Sequence, residues 1–152
     1  MDTYRIAFIG HSKINDKHRL EAPLDEIITE KIHSNEQVEL CFCGDGDFDI
    51  LASVSAITVQ RTVGNQNSRR VMVLPCHTKD DWFFERAYDE VRYPVDPATD
   101  AETAIAKMNQ WVVEHIDLLV AYVESECHDS AWTALKYAEK KGVNIINLAV
   151  SS

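Results

Sequence analysis

The chain has 152 residues, of which 45% are apolar and 26% charged, a composition typical of a globular protein and not of a disordered one. Its formal net charge is −10, which disfavours binding to polyanionic DNA or RNA, so we expect no nucleic-acid partner. No apolar stretch approaches the roughly 20 residues that span a membrane, and the N-terminus lacks a signal-peptide pattern. We therefore expect a cytoplasmic protein without a membrane partner, in which residues 1–152 form a single domain.

Apolar runs alternate with amphipathic segments along the chain. The first run, Tyr4 to Gly10, is nearly continuous and ends in glycine, which is typical of a central strand buried on both faces. Right-handed crossovers between such strands place helices on both sides of the sheet. We therefore predict an α/β fold: a Rossmann-like, open, mainly parallel sheet of five to six strands with helices on both faces. The other predicted strands are 38–43, 71–74, 91–93, 117–123 and 144–148, and the predicted helices are 20–33, 49–61, a short one at 82–84, 101–115, and 130–141 ended by a Gly142 cap.

In such sheets ligands bind beyond the carboxyl ends of the strands, where the strand order reverses. The loops at that edge are 10–13, 43–49, 75–81 and 124–130. The second loop is the strongest candidate, because Gly44 and Gly46 let a ligand approach backbone N–H groups at the start of a helix, with Asp49 as its N-cap. Asp45 and Asp47 would repel a phosphate there, so a ribose hydroxyl or an amine is easier to accept. The alternative is a tight turn without a ligand.

Thiols and imidazoles also fall in these four loops. They allow two further alternatives, a transition-metal site or a cysteine nucleophile with a histidine base. However, the spacing fits no compact zinc motif, no third group that would orient a histidine is identifiable, and the calcium-loop pattern is incomplete. We therefore predict no metal and no cofactor, and we interpret the four cysteines, which form no CxxC pair, as free thiols. The side chains concerned are His11, Cys43, Cys76, His77, Cys127 and His128.

Several motifs follow one another in order along nearly the whole chain. They are Ile6–His11, Gly44–Ala52, Leu74-Pro75, Asn109–Val113 before Asp117–Val123, and Ala131–Leu148. In this order and spacing the chain resembles the SLOG superfamily, specifically its small single-domain YpsA-like branch, and is distantly similar to the LOG nucleoside-monophosphate phosphoribohydrolases. The resemblance implies a Rossmann-like domain that binds a nucleotide or a nucleotide-derived signal, and a homodimer formed through the helices.

The chain departs from the enzymatic LOG pattern at positions that carry chemistry in that family. Asp129-Ser130 stands where relatives have paired glycines, and Ala134 and Lys136 replace a threonine and a glutamate. The arginines that flank an asparagine in the family are replaced by Met108 and Gln110. These changes remove phosphate-binding cations and a candidate catalytic carboxylate. The resemblance therefore favours a sensor or sequestering domain with little or no catalysis, and the alternative is a nucleoside-phosphate N-glycosidase with a remodelled site.

The predicted partner is thus a small nucleotide-related ligand at the carboxyl ends of the strands. Backbone N–H groups of the glycine loop and polar side chains of the neighbouring loops and helices would bind it. No catalytic residue is assigned. The predicted ligand-binding residues are Gly10, His11, Ser12, Lys13, Gly44, Asp45, Gly46, Asp49, Lys107, Asn109, Ser130 and Thr133.

Overall fold

The computed structural model describes residues 2–149, which contain six strands and five α-helices. A short 3₁₀ helix, Lys17–Leu20, precedes the first α-helix. The strands are β1 (Thr3–Gly10), β2 (Gln37–Phe42), β3 (Ser68–Val73), β4 (Glu90–Arg92), β5 (Leu118–Tyr122) and β6 (Asn144–Asn147). The helices are α1 (Glu21–Ser34), α2 (Asp47–Val63), α3 (Asp81–Ala87), α4 (Ala101–Glu114) and α5 (Ser130–Lys141).

All six strands form one parallel sheet in the order β4-β3-β2-β1-β5-β6. The predicted central strand β1 lies inside the sheet, where Ile6 is opposite Leu40 on one side and Leu118 on the other. The chain runs outward from β1 to β4 and then returns to β5. The predicted Rossmann-like α/β fold is thereby confirmed.

Alternate residues of the strands face two separate cores. On one face Ile6 and Phe8 of β1 pack in a core with residues of α1 and α2. On the other face Ala7 and Ile9 pack in a core with residues of α4 and α5. Burial on both faces explains why β1 is a continuous apolar run and not an alternating one. No helix within residues 2–149 combines the length and apolar character needed to cross a bilayer.

Most element boundaries differ from the prediction by a few residues, and α5 agrees at both ends. Gly142, with a φ of 75°, ends that helix in the left-handed conformation, as predicted. β3 begins earlier than expected, because Ser68 already pairs with Val38 of β2. The predicted N-cap of α2 is wrong: Gly46 is the N-cap, and Asp49 lies at the third helical position.

Candidate ligand-binding site

The strand order reverses between β1 and β5, and the carboxyl ends of these two strands are joined by one buried histidine. His11 follows β1 directly and is only 4% exposed. Its backbone N–H donates a hydrogen bond to the carbonyl of Tyr122, the last residue of β5, at 3.1 Å. Parallel sheets bind ligands next to such a reversal. His11 therefore lies at the point where the fold most favours a site.

Both ring nitrogens of His11 form hydrogen bonds to the loop between β5 and α5. The Glu124 backbone N–H donates to Nε2 at 2.8 Å, and Nδ1 lies 2.8 Å from Oδ2 of Asp129. Because Nε2 accepts a hydrogen bond, the ring proton is on Nδ1, which donates to Asp129. Oδ1 of Asp129 accepts the Trp132 N–H at 3.1 Å and so caps α5. We call His11, Glu124 and Asp129 the His11 bridge.

The hydrogen bonds of the His11 bridge also bear on whether this region could form a metal site or a cysteine-histidine catalytic pair. The ligand atoms of His11, Cys127 and Asp129 lie within 4.8 Å of one another. A metal on Nδ1 would need Nε2 to carry the proton, but Nε2 faces the Glu124 N–H donor. Desolvation, and then the Asp129 carboxylate, raise the pKa of the Cys127 thiol, which disfavours a reactive thiolate. This arrangement supports neither a resident metal nor a Cys-His pair.

The other thiol and imidazole groups of the four loops have separate environments. His77 forms a 2.8 Å hydrogen bond with Asp81, and His128 stacks on Trp132 with ring centroids 4.0 Å apart. Burial raises the pKa of Cys43 well above its usual range. All four cysteines are free thiols, as predicted. The described residues bring together only His11 and Cys127 from the predicted set, which leaves Cys43, Cys76, His77 and His128 outside the cluster.

The glycine loop between β2 and α2 packs tightly against the loop after β1. The Asp47 N–H donates to the Ser12 carbonyl at 2.8 Å, and Oδ2 of Asp47 accepts the Ile14 N–H at 3.1 Å. A Cβ on Gly46 would lie 2.7 Å from Cα of Ser12. Likewise, a Cβ on Gly10 would lie 2.6 Å from the Phe48 ring. Close packing between two loops therefore accounts for both glycines without a ligand.

Asp49 closes this loop through a hydrogen bond to the backbone. Its Oδ2, at the third helical position, accepts the N–H of the N-cap residue Gly46 at 3.2 Å. Desolvation raises the pKa of Asp49 to about 7, against the lowering effect of the Gly46 hydrogen bond, and the Asp45 carboxylate raises it further. Near neutral pH the Asp49 side chain is therefore divided between its carboxylate and carboxylic acid forms.

The raised pKa of Asp49 predicts a pH-dependent stability. An unfolded aspartate has a pKa of about 4, so the native chain binds this proton more tightly and loses stability as the pH rises from about 4 to about 7. Asp49→Asn keeps an oxygen acceptor for Gly46 but has no charge. We expect it to exceed the wild type by about 2 kcal/mol near pH 8 and to equal it near pH 4, measured by urea unfolding. The exposed Asp2→Asn is the control, and equal stability of Asp49→Asn and wild type at both pH values would contradict the assignment.

A groove of about 590 Å³ lies between α4 and α5 and reaches the start of α5 at Asp129. Asn109 of α4 is 8% exposed and lines this groove. Its side-chain amide forms no hydrogen bond with another residue of the described range 2–149, and its polar atoms are not fully buried, because they face the groove. Ser130 and Thr133 line the opposite wall. The Asn109 amide is therefore placed to form hydrogen bonds with a ligand in the groove.

Eleven of the twelve predicted ligand-binding residues fall into two groups, and Lys107 belongs to neither. Asn109, Ser130 and Thr133 line the groove. The residues after β1 and β2 form the packed loops described above, and exposed Lys107 lies on α4 away from the groove lining. The first group is Asn109, Ser130 and Thr133, and the second is Gly10, His11, Ser12, Lys13, Gly44, Asp45, Gly46 and Asp49.

The prediction missed residues further along the two helices. Ile105 precedes Asn109 by one turn of α4, and Tyr137 and Lys140 follow Thr133 along α5. Residues 130, 133, 134 and 137 repeat at helical spacing, so the sequence contained a signal for the groove face of α5. The partner of that face could not be inferred, because it depends on the strand order.

The sequence matches no known family model and no curated protein. Two solved structures share the fold. The structural genomics target TM1055 is 11% identical, with a TM-score of 0.60 over 93% of this chain and 72% of its own. The molybdenum cofactor carrier protein of Chlamydomonas reinhardtii is 12% identical, with a TM-score of 0.62 over 99% of this chain and 79% of its own. At these identities the likeness establishes the α/β architecture alone.

Proposed function

We propose that the groove between α4 and α5 binds a small nucleotide-related ligand, and that the protein acts as a sensor or sequestering domain with little or no catalysis. The observation that carries this proposal is the Asn109 side chain, which lines the groove and forms no hydrogen bond with another described residue. A hydrogen bond between this amide and a ligand contributes about 0.5–1.5 kcal/mol to binding.

The charges along the groove favour one orientation of a nucleotide. The Asp129 carboxylate disfavours a phosphate at the start of α5, whereas Lys136 and Lys140 lie further along the helix. Tyr137 and Ile105 offer apolar contacts for a base. We therefore place the phosphate near the lysines and a ribose or base edge near Asn109.

Two further observations support a binding role. One neighbour in fold is a cofactor carrier, which shows that this architecture accommodates small ligands in at least that protein. The motifs that resemble the SLOG superfamily occur on the expected elements of the same architecture, which supports membership in its YpsA-like branch. A homodimer formed through the helices stays a prediction.

The glycosidase alternative requires an acid or nucleophile in reach of the ligand. Asp49 has a pKa suited to proton transfer near neutral pH. However, its Oδ2 is hydrogen-bonded to the Gly46 N–H, and Asp49 does not line the groove. Release of free base from nucleoside monophosphates, abolished by Asp49→Ala, would favour catalysis. Absence of release with all common bases would exclude this alternative.

The proposal predicts a loss of affinity when the groove amide is removed. Asn109→Leu preserves the bulk of the side chain but forms no hydrogen bonds. We expect it to bind at least tenfold more weakly than the wild type in calorimetric titrations with AMP, GMP, NAD and cyclic AMP, because about 1.4 kcal/mol corresponds to a factor of ten.

The matched control is Asn65→Leu, since Asn65 is exposed in the loop that precedes β3, at the opposite edge of the sheet. This variant should bind like the wild type. If the wild type shows neither heat of binding nor thermal stabilisation with any of the four compounds, the proposal fails.

A further inference from the structure

A second cavity, of about 620 Å³, lies beyond the carboxyl ends of β5 and β6. Its volume falls in the range of about 300–1,000 Å³ that is usual for small-molecule sites. It is bounded by Arg19 of the 3₁₀ helix, by the loop after β5 and by α5, and it shares only Lys136 with the groove. We call it the Tyr122 cavity.

A buried tyrosine holds two opposite charges at the wall of this cavity. Tyr122 is 4% exposed, and its hydroxyl accepts a hydrogen bond from the Arg19 guanidinium at 3.3 Å and donates one to Oε1 of Glu124 at 3.1 Å. The guanidinium also lies over the Tyr122 ring, 5.7 Å from its centroid. The Arg19 cation and the Glu124 carboxylate thus both form a hydrogen bond with the same atom, the hydroxyl oxygen of Tyr122.

Neither charge is neutralised by the other. Among residues 2–149, Arg19 and Glu124 form no ion pair with each other, and the nearest carboxylate oxygen to Arg19 is that of Asp16, 4.0 Å from Nε. A guanidinium has five N–H donors, and Tyr122 uses one of them. The second oxygen of Glu124 has no partner among the described residues. Both groups therefore keep the capacity to bind a ligand.

We propose that the Tyr122 cavity binds a zwitterion of the α-amino acid class, with the ligand carboxylate on Arg19 and the ligand ammonium on Glu124. A carboxylate matches the planar fork of a guanidinium, and an ammonium matches a carboxylate. The Arg19 guanidinium and the Glu124 carboxylate both lie within hydrogen-bond distance of the Tyr122 hydroxyl, so one small ligand can contact both.

The remaining charges of the cavity support a ligand that has both signs. A purely anionic ligand would meet Glu124 and Glu126, and a purely cationic one would meet Arg19 and Lys136. Lys136 and Glu139 form an exposed ion pair of 3.5 Å at the edge of the cavity. A zwitterion is the class whose charges all find opposite partners.

The test is calorimetric titration of the full chain with each proteinogenic L-amino acid at millimolar concentration. For an amino acid that binds, the corresponding α-keto acid lacks the ammonium and the corresponding amine lacks the carboxylate. We expect both analogues to bind at least tenfold more weakly. The proposal is overturned if no amino acid binds, or if either analogue binds as tightly as the amino acid.

Variants test the two charges separately. Arg19→Gln and Glu124→Gln should each weaken binding at least tenfold, whereas Lys17→Gln and Glu21→Gln remove the same charges nearby without lining the cavity and should bind normally. Asn109→Leu should also bind the amino acid normally, which separates this site from the groove. Unchanged affinity in Arg19→Gln, with thermal unfolding like that of the wild type, would refute the assignment.

Discussion

Replacing Glu39 with alanine should lower the free energy of unfolding by about 3 kcal/mol. Glu39 lies on β2 and is 5% exposed, with Oε1 2.7 Å from a guanidinium nitrogen of Arg92 and Oε2 3.7 Å from Nε of Arg5. Glu90, and then Glu39, hold the pKa of Arg92 above its ordinary value. Without Glu39, the partly buried Arg92 loses one of its two carboxylates.

Urea unfolding near neutral pH measures this effect. Glu36→Ala removes an exposed glutamate close by and should change stability by less than about 0.5 kcal/mol. Replacing both Glu39 and Arg92 with leucine should recover part of the loss, because the Arg92 guanidinium is then removed together with its carboxylate and Glu90 keeps its ion pair with Arg69. A Glu39→Ala variant as stable as Glu36→Ala would show that the buried ion pair contributes nothing.

His11→Leu should cost about 2–3 kcal/mol, because it removes both hydrogen bonds of the His11 bridge from a buried position. The Glu124 N–H loses its acceptor, and Asp129 retains only its cap on α5. Hydrogen exchange at the Glu124 amide should therefore become faster, together with the loss of stability in urea.

His18→Leu is the matched control for this substitution, because the His18 side chain is 94% exposed. It should leave both stability and Glu124 exchange near the wild-type values. If hydrogen exchange at the Glu124 amide is as slow in His11→Leu as in the wild type, the His11 bridge does not hold the loop after β5.

The architecture could be predicted because its main signals are local. The apolar run of β1 and the capped helix α5 are specified by consecutive residues, and the alternation of strands and helices then leads to a parallel sheet. The start of α2 was misplaced because Asp49 can accept hydrogen bonds at more than one helical position, and here it reaches back to Gly46. That residues 1–152 form one domain stays a prediction.

The site was harder to predict because its contacts join distant segments. Gly46 looks ligand-facing in the sequence, but a Cβ at this position would lie against Ser12. Asn109 and Thr133 were both predicted as ligand-binding residues, yet the groove that they line depends on α4 packing against α5. Such long-range packing follows from strand order, which no local pattern encodes.

The reversal of strand order has a consequence for how the chain folds. β1 can pair with β5 only when residues about a hundred positions later are available, since the Arg5 N–H contacts Asp117, 112 residues away. During synthesis β1 to β4 and the first two helices can assemble early, while the opposite face of β1 stays uncovered until α4 and α5 emerge. Pairing of β1 with β5 would then be a late and slow step of folding. Until it occurs, the uncovered face of β1 would be open to chaperone binding and to aggregation.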